Sequence, residues 1–217
     1  MSIAENGEIT HRGPGRPPVR SDEETLRVIL DAASKEFQAA GYAGTGMTEI
    51  ARRAGVSTKT LYRLIPTKAE LFRQVIRRRI GTFVLAMDAL EAAADDVAVG
   101  LERLLTAYAT LTLDPDVVAM QRLVLSESSR FPELGRAFYE DAVERTGHLM
   151  AEWLERQCRR NLIRLDDPRL AAEMLRGMMI LEPQRAAMLG RAKLPDAAQI
   201  ATRAKACAKL FLNGCRT

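Results

Sequence analysis

Apolar residues recur at helical spacing along nearly the whole chain. Between Asp22 and about Ala40 they fall at Leu26, Ile29, Leu30, Ala33 and Phe37, the three-and-four rhythm that gathers a stripe on one helix face. Ser21 stands at the start of that stripe with Glu24 three residues on, a capping box, and Gly41 is placed to end the helix. Met47, Ile50, Ala51 and Ala54 form a second, short stripe that Thr45 is placed to cap. Ala54-Gly55-Val56-Ser57 then reads as a tight turn. Gly55 is free to adopt a positive φ, and Ser57 can cap a third short helix carrying Leu61 and Tyr62. Pro66 stops it, and Thr67 with Glu70 makes a further capping box for a long fourth helix.

Beyond residue 80 the periodicity stays helical and no strand pattern emerges. Breakers at Asp95-Asp96, Asp114-Pro115, Phe131-Pro132, Asp167-Pro168 and Leu194-Pro195 predict helices over 68–93, 97–112, 116–128, 134–160, 168–190 and 196–213. Pro183, inside the fifth of these, is expected to kink it. There is no internal repeat. The expected fold is all-α: an N-terminal three-helix unit with a helix-turn-helix, followed by a larger helical domain. The expected division is a basic arm over 1–21, a three-helix unit over 22–67 and the second domain over 68–217.

Composition narrows the function. With 217 residues, 47% hydrophobic and 28% charged, the chain has ordinary globular composition and can bury roughly 70% of its unfolded surface. No run approaches the ~18 apolar residues of a membrane span. The polar stretch Met1 to Arg12 lacks a signal peptide's apolar core, so a cytoplasmic location without membrane partners is expected. Cys158, Cys207 and Cys215 form no CxxC pair, and His11 and His148 lie far apart, which excludes the common zinc ligand sets and a disulfide framework. The thiols are expected as buried small hydrophobes. Nucleophile elbows, phosphate-cradling Gly-Lys-Ser loops and HExxH are all lacking; His148 to Glu152 offers one histidine at the wrong spacing. No catalytic residue, metal or cofactor is expected, and the chain reads as a non-enzyme.

The formal net charge is +4, but residues 1–79 hold 14 basic against 9 acidic side chains, and residues 80–217 hold 18 against 19. The excess positive charge therefore lies in the first third, as in a module facing nucleic acid or a membrane surface. Two short helices joined by a glycine-containing turn are the helix-turn-helix arrangement. Ile50 and Ala51 would be buried, Ala54 and Gly55 would let the helices cross closely, and Val56 and Leu61 would anchor the second helix. That leaves Thr58, Lys59, Thr60, Tyr62 and Arg63 on its outer side, groups able to bond phosphates and base edges.

The run Gly41-Tyr42, Thr45 to Ala51, Ala54 to Ser57, Thr60 to Tyr62, Lys68 and Leu71-Phe72 resembles the DNA-binding signature of the tetracycline-repressor (TetR) family over about residues 22–72. The resemblance implies that the third helix enters the major groove through Thr58, Lys59, Thr60, Tyr62 and Arg63. It places Thr45 and Thr48 at the motif's first helix and has Lys68 clamp the DNA backbone. An aromatic residue is usual in the family after Tyr62. Here Leu64-Ile65 stand there; Ile65 fills the apolar slot and looser packing is expected. In the arm, Arg12-Gly13-Pro14-Gly15-Arg16-Pro17-Pro18 resembles a minor-groove hook with Arg16 at its tip.

For residues 73–217 the resemblance rests on architecture and implies a homodimer and a small-molecule effector of unknown identity. The helices near 168–190 and 196–213 would close the dimer. Ala171, Ala172, Met174, Leu175, Met178, Met179 and Leu181 stand in the first, and Ile200, Ala201, Ala204, Ala208 and Phe211 form a stripe in the second. Candidate effector contacts are Phe83, Met87, Tyr108, Met120, Phe138, His148 and Trp153; Leu111 and Arg122 are further possibilities. A helix-turn-helix dimer reads two half-sites about 34–36 Å apart, hence a palindromic operator on double-stranded DNA. The family habit implies a repressor released by its effector. The competing reading is an effector-independent architectural or nucleoid-type DNA-binding protein, suggested by the basic arm.

Overall fold

The computed structural model describes residues 20–91 and 96–215. Arg16 and the rest of residues 1–19 lie outside it, and with them the minor-groove reading of the arm. The helices are α1 (Asp22–Gly44), α2 (Met47–Ala54), α3 (Thr58–Leu64), α4 (Lys68–Glu91) and α5 (Val97–Thr112), then α6 (Pro115–Glu127), α7 (Pro132–Phe138), α8 (Arg145–Arg159), α9 (Pro168–Met188) and α10 (Ala197–Cys215). No strand occurs among the described residues.

Local chemistry sets most of the boundaries. At the start of α1 the Ser21 hydroxyl accepts from the Glu24 amide at 3.1 Å and the Ser21 amide donates to the Glu24 carboxylate at 3.0 Å. Gly41 sits at φ +72, so regular helix ends there and the chain turns through residues 42–45. Thr67 accepts from the Glu70 amide at 3.1 Å; the Glu70 carboxylate turns instead to Gln74 at 3.0 Å, so half of that capping box forms. Asp114 and Asp167 cap α6 and α9, each of which begins with proline, the residue whose missing N–H costs nothing in the first turn.

Two expectations need correction. The helix expected over 134–160 is α7, a π-helical turn at Tyr139–Glu144, and α8. The sequence of that turn is ordinary helix former, so nothing local announces the change in pitch. Thr45 does not cap α2: Gly46 holds the cap position without a side-chain bond, and the Thr45 hydroxyl donates backwards to the carbonyls of Glu36 and Gly41, at 3.2 and 2.6 Å. α9 runs on past Pro183 to Met188.

Burial divides into two hydrophobic clusters. The first gathers Ile29, Phe37, Ile50, Leu61, Ile65 and Phe72, and continues into Met120, Leu123 and Val124 of α6 and Leu134 of α7. Each such fully buried large side chain contributes about 1.5–3 kcal/mol relative to exposure. Ile65 is fully buried here, filling the slot beside Leu61. The second cluster joins α5, α8, α9 and α10 around Leu101, Leu104, Trp153, Leu154, Leu175 and Ala204. α4 belongs to both: Leu71, Phe72, Val75, Ile76 and Ile80 face the first, Phe83 and Met87 the second. Of the thiols, Cys207 is buried and Cys158 half-buried.

Candidate nucleic-acid interface

The turn between α2 and α3 is built by backbone geometry. Gly55 adopts φ +66, its amide donates to Arg52, and the Val56 amide reaches back to Ala51 at 3.0 Å, closing α2 with a left-handed cap. Nothing lies within 4 Å of where a Gly55 Cβ would stand. Glycine is needed there for its φ, not for close helix crossing as the sequence suggested. Ser57 then caps α3, accepting from the Thr60 amide at 3.0 Å.

With Leu61 buried beneath, the rest of α3 is turned outward. Thr58, Lys59, Tyr62 and Arg63 are exposed, Tyr62 at 50%, and Thr48 of α2 is exposed beside them. Thr60 is half-buried and its hydroxyl is bonded to that of Ser57 at 2.8 Å. The Arg63 guanidinium holds both carboxylate oxygens of Asp22 at 2.8 and 2.6 Å, and this bond keeps the Asp22 carboxyl below its usual range.

Two expected contacts are placed differently. Thr45 is only 3% exposed and its hydroxyl is already used, so it presents no side chain to a ligand. Lys68 is half-buried: its ammonium donates to the carbonyls of Tyr42 and Thr45, at 2.8 and 3.0 Å, and lies 4.4 Å from the Tyr42 ring centroid. Lys68 thus pins the 42–45 loop. Sequence reasoning passed over Arg52 and Arg53, exposed cations on α2 that share the Glu49 carboxylate; Arg53 also reaches the buried Glu36 at 2.7 Å. Their i,i+3 and i,i+4 spacing from Glu49 was the available signal. Hydrogen bonds from Arg52 and Arg53 hold the Glu49 carboxyl down at about 2.

The 42–45 loop is gripped from a second side. Glu127, at the end of α6, accepts the Tyr42 and Ala43 amides, both at 2.9 Å. The Tyr42 ring packs edge-on to Phe131 at 5.2 Å and to Phe72 at 5.8 Å. Burial, with the Glu133 carboxylate beside it, pushes the Tyr42 phenol up to about 12. The segment leading into the helix-turn-helix is therefore held by α4 and α6 together.

Two turns back along α6, Met120 and Gln121 line a cavity of about 230 Å³ bounded also by α4, α5, the π turn and α9. Of the candidate effector contacts, Tyr108, Met120 and Phe138 line it, as does Leu111. Phe83, Met87 and Trp153 are buried in the second hydrophobic cluster instead, and Phe83 also borders a neighbouring pocket between α1, α4 and α5. His148 is exposed and pairs with Glu152 at 3.2 Å, and Arg122 is exposed with its guanidinium on the Ala187 carbonyl at 2.7 Å. Sequence reasoning missed Gln121, Arg176 and Gln184 in the lining, because a polar residue on a mostly apolar helix gives no sign of which way it faces.

An exposed polar helix set on a helix-turn-helix, joined to a larger helical body, defines a DNA-binding regulator. Residues 29–75 match the family of bacterial regulatory proteins of the tetR family, and residues 99–214 match the C-terminal domain of AefR-like transcriptional repressors. The chain belongs to the TetR family of transcriptional regulators; these are not enzymes. A structure assigned to that family from Mesorhizobium loti aligns with TM-score 0.79 and 29% identity over 92% of this chain and 100% of its own. The flavonoid-responsive regulator FrrA aligns with TM-score 0.72 and 29% identity, over 89% of this chain and 98% of its own. The transcriptional activator FasR of Mycolicibacterium smegmatis is 42% identical over 62 residues, 29% of this chain and 28% of that protein's length. Among the described residues no helix is long and apolar enough to cross a membrane.

Proposed function

We propose that the protein is a homodimeric, effector-responsive repressor that reads a palindromic operator in the cytoplasm, with residues 22–67 as the DNA-reading unit and 68–217 as the effector-binding and dimerisation domain. The observation that carries this reading is the outward set Thr58, Lys59, Tyr62 and Arg63, held rigidly over the buried Leu61 and Ile65. In the major groove, Lys59 and Arg63 would meet phosphates or guanine edges, and Tyr62 a phosphate or a thymine methyl. Arg63 would exchange Asp22 for DNA. Thr48 would contact the backbone from α2, and Lys68 would act chiefly by seating the 42–45 loop.

The route from cavity to DNA is α6. Its middle lines the cavity and its end, through Glu127, holds Tyr42 and Ala43 just before α2. A ligand that displaces α6 or α4 moves the α2–α3 pair, and a coupling of about 1–3 kcal/mol changes DNA affinity roughly 5–150-fold. Repression is favoured by the match of the whole second half to a repressor domain, whereas the activator FasR aligns only over a short stretch.

Dimerisation is supported by an unpartnered apolar face. Leu170, Met174 and Leu181 on α9, Leu189 just past its end and Leu210 on α10 are all exposed. Met174 and Leu181 are among the positions expected at the interface, whereas Ala171, Ala172, Leu175 and Met179 of α9 and Ile200, Ala204 and Ala208 of α10 are buried in the subunit's own core.

Selection from random duplex DNA followed by footprinting tests the proposal. A palindrome bound by two copies is expected, with Lys59→Ala and Tyr62→Ala binding it more weakly while circular dichroism stays unchanged. Operator affinity unaltered in both variants would overturn the placement of α3.

A further inference from the structure

The cavity behind α6 contains polar groups of two kinds. Most are satisfied internally: the Thr112 hydroxyl donates to the Tyr108 carbonyl at 2.8 Å, Thr146 to the Ala142 carbonyl at 2.7 Å, and the Gln184 amide to the Thr112 carbonyl at 3.3 Å. Arg79 is neutralised by Asp116. Three groups are left over. The Gln121 side-chain oxygen is buried without a hydrogen-bond partner. Arg176 is half-buried, its Nε donates to the Tyr108 hydroxyl at 3.1 Å, and no carboxylate among the described residues pairs with it. Tyr108, 2% exposed, accepts that bond and so keeps its own O–H proton unspent. Burial pushes the Tyr108 phenol up, against the opposing pull of Arg176, so it remains a donor at neutral pH.

The arginine is held in place. Its guanidinium carbon lies 5.7 Å from the Tyr108 ring centroid, and its Nη1 sits 2.5 Å from where a Cβ on Gly147 would be. A glycine inside a helix costs about 1 kcal/mol against alanine; here it makes room for the cation. Arg176 borders both this cavity and the neighbouring groove at Gly147, and no carboxylate of either lining pairs with it. A fixed guanidinium with no paired carboxylate favours an anion, and its planar fork matches a carboxylate. A neutral carbonyl would leave that charge uncompensated.

We infer that the cavity takes a compact apolar carboxylate, its anionic end bonded by Arg176 and Tyr108 and a hydroxyl or N–H on its body donated to Gln121. The volume of about 230 Å³ lies below the roughly 300–1,000 Å³ usual for drug-sized ligands, so the body is one ring or a short branched chain. This inference rests on the effector-responsive reading, and its test separates the two.

Binding is measured by calorimetry with 3-(4-hydroxyphenyl)propionate, 3-phenylpropionate, the primary amide of the latter, and 3-phenylpropylamine; operator affinity is then measured with each. The hydroxylated acid is expected to bind best and the amide at least about tenfold more weakly than its acid, as for loss of one charge-assisted pair. Arg176→Met should erase the preference for acid over amide, and Arg176→Lys should restore part of it. Gln121→Leu should erase only the preference for the hydroxyl. Thermal unfolding of each variant confirms that it folds. An amide or amine that binds as well as the acid, acid binding unchanged in Arg176→Met, or no acid bound at millimolar concentration would each overturn the inference. Acid binding that follows this pattern but leaves operator affinity unchanged would uphold the site and overturn the effector-responsive reading.

Discussion

Arg63 has two uses for one guanidinium. In the free protein both of its carboxylate bonds go to Asp22, and any phosphate must displace that exposed partner. Asp22→Asn is therefore expected to raise operator affinity modestly, and Arg63→Ala to lower it. If Arg63 meets a phosphate, the slope of log affinity against log salt should fall by about one in Arg63→Ala; titrations at several salt concentrations check both. Glu49 makes a different test. Its carboxyl lies near 2 in the folded protein against an ordinary 4.5, because Arg52 and Arg53 bond the charged form. Between those values the unfolded chain binds more protons than the native one. The stabilisation from these pairs is complete above about pH 4.5 and is lost as pH falls toward 2. Urea midpoints should drop less on acidification in Glu49→Gln than in the parent chain.

At the scale of elements, two glycines with positive φ differ in ψ and in surroundings, Gly55 at ψ 36 and Gly41 at ψ 176. Gly55 has open space around it, so Gly55→Ala should cost only the backbone strain, about 1–2 kcal/mol. Gly41, at ψ 176, lies in a region open essentially to glycine alone, and a Cβ there would stand 2.6 Å from the Glu127 carboxylate that holds the Tyr42 and Ala43 amides. Gly41→Ala should lower the melting temperature more than Gly55→Ala, and equal losses by calorimetry would show that neither the Gly41 backbone conformation nor the Glu127 contact matters. Glu127→Gln keeps the size and weakens both bonds, so it should reduce the response of operator affinity to a bound ligand while leaving ligand binding intact. These elements also show what local sequence carries. Ser21 with Glu24, Ser57 and both glycines act on neighbours a few residues away, and each was readable. Thr45 was misread because its partners, Glu36 and Gly41, are brought to it by a chain reversal. The π turn at Tyr139–Glu144 was invisible for a similar reason. Arg73 and Arg77 of α4 reach Glu140 and Asp141 there, at 3.0 and 2.8 Å, across a distance in sequence that periodicity does not sense.

The molecule as a whole is two hydrophobic clusters bridged by α4, with α6 tying the loop before α2 to the cavity wall. The apolar groups left outside, Met174 and Leu181 among them, are 57% and 59% exposed, an arrangement that favours burial against a second copy. Replacing both with Glu should shift sedimentation from dimer to monomer. Operator affinity should fall with it, since one subunit then meets one half-site. A dimer that survives the double substitution would move the interface elsewhere.

The sequence by itself determined the helices, the turn at Gly55 and the outward set on α3. Each follows from spacing within one or two turns: once Leu61 and Ile65 face inward, Thr58, Lys59, Tyr62 and Arg63 have only one side left. Tertiary structure decided the rest. Phe83, Met87 and Trp153 are as apolar as Met120 and Phe138, yet only the latter two line the cavity, because the packing angles of α4, α5 and α8 choose which side chains interlock. Arg122 and Arg176 are both arginines on helices. One lies on the surface against the Ala187 carbonyl, and the other lies beside a buried tyrosine over a glycine that leaves it room. Helical period fixes which residues share a face, but only the assembled helices determine what that face meets.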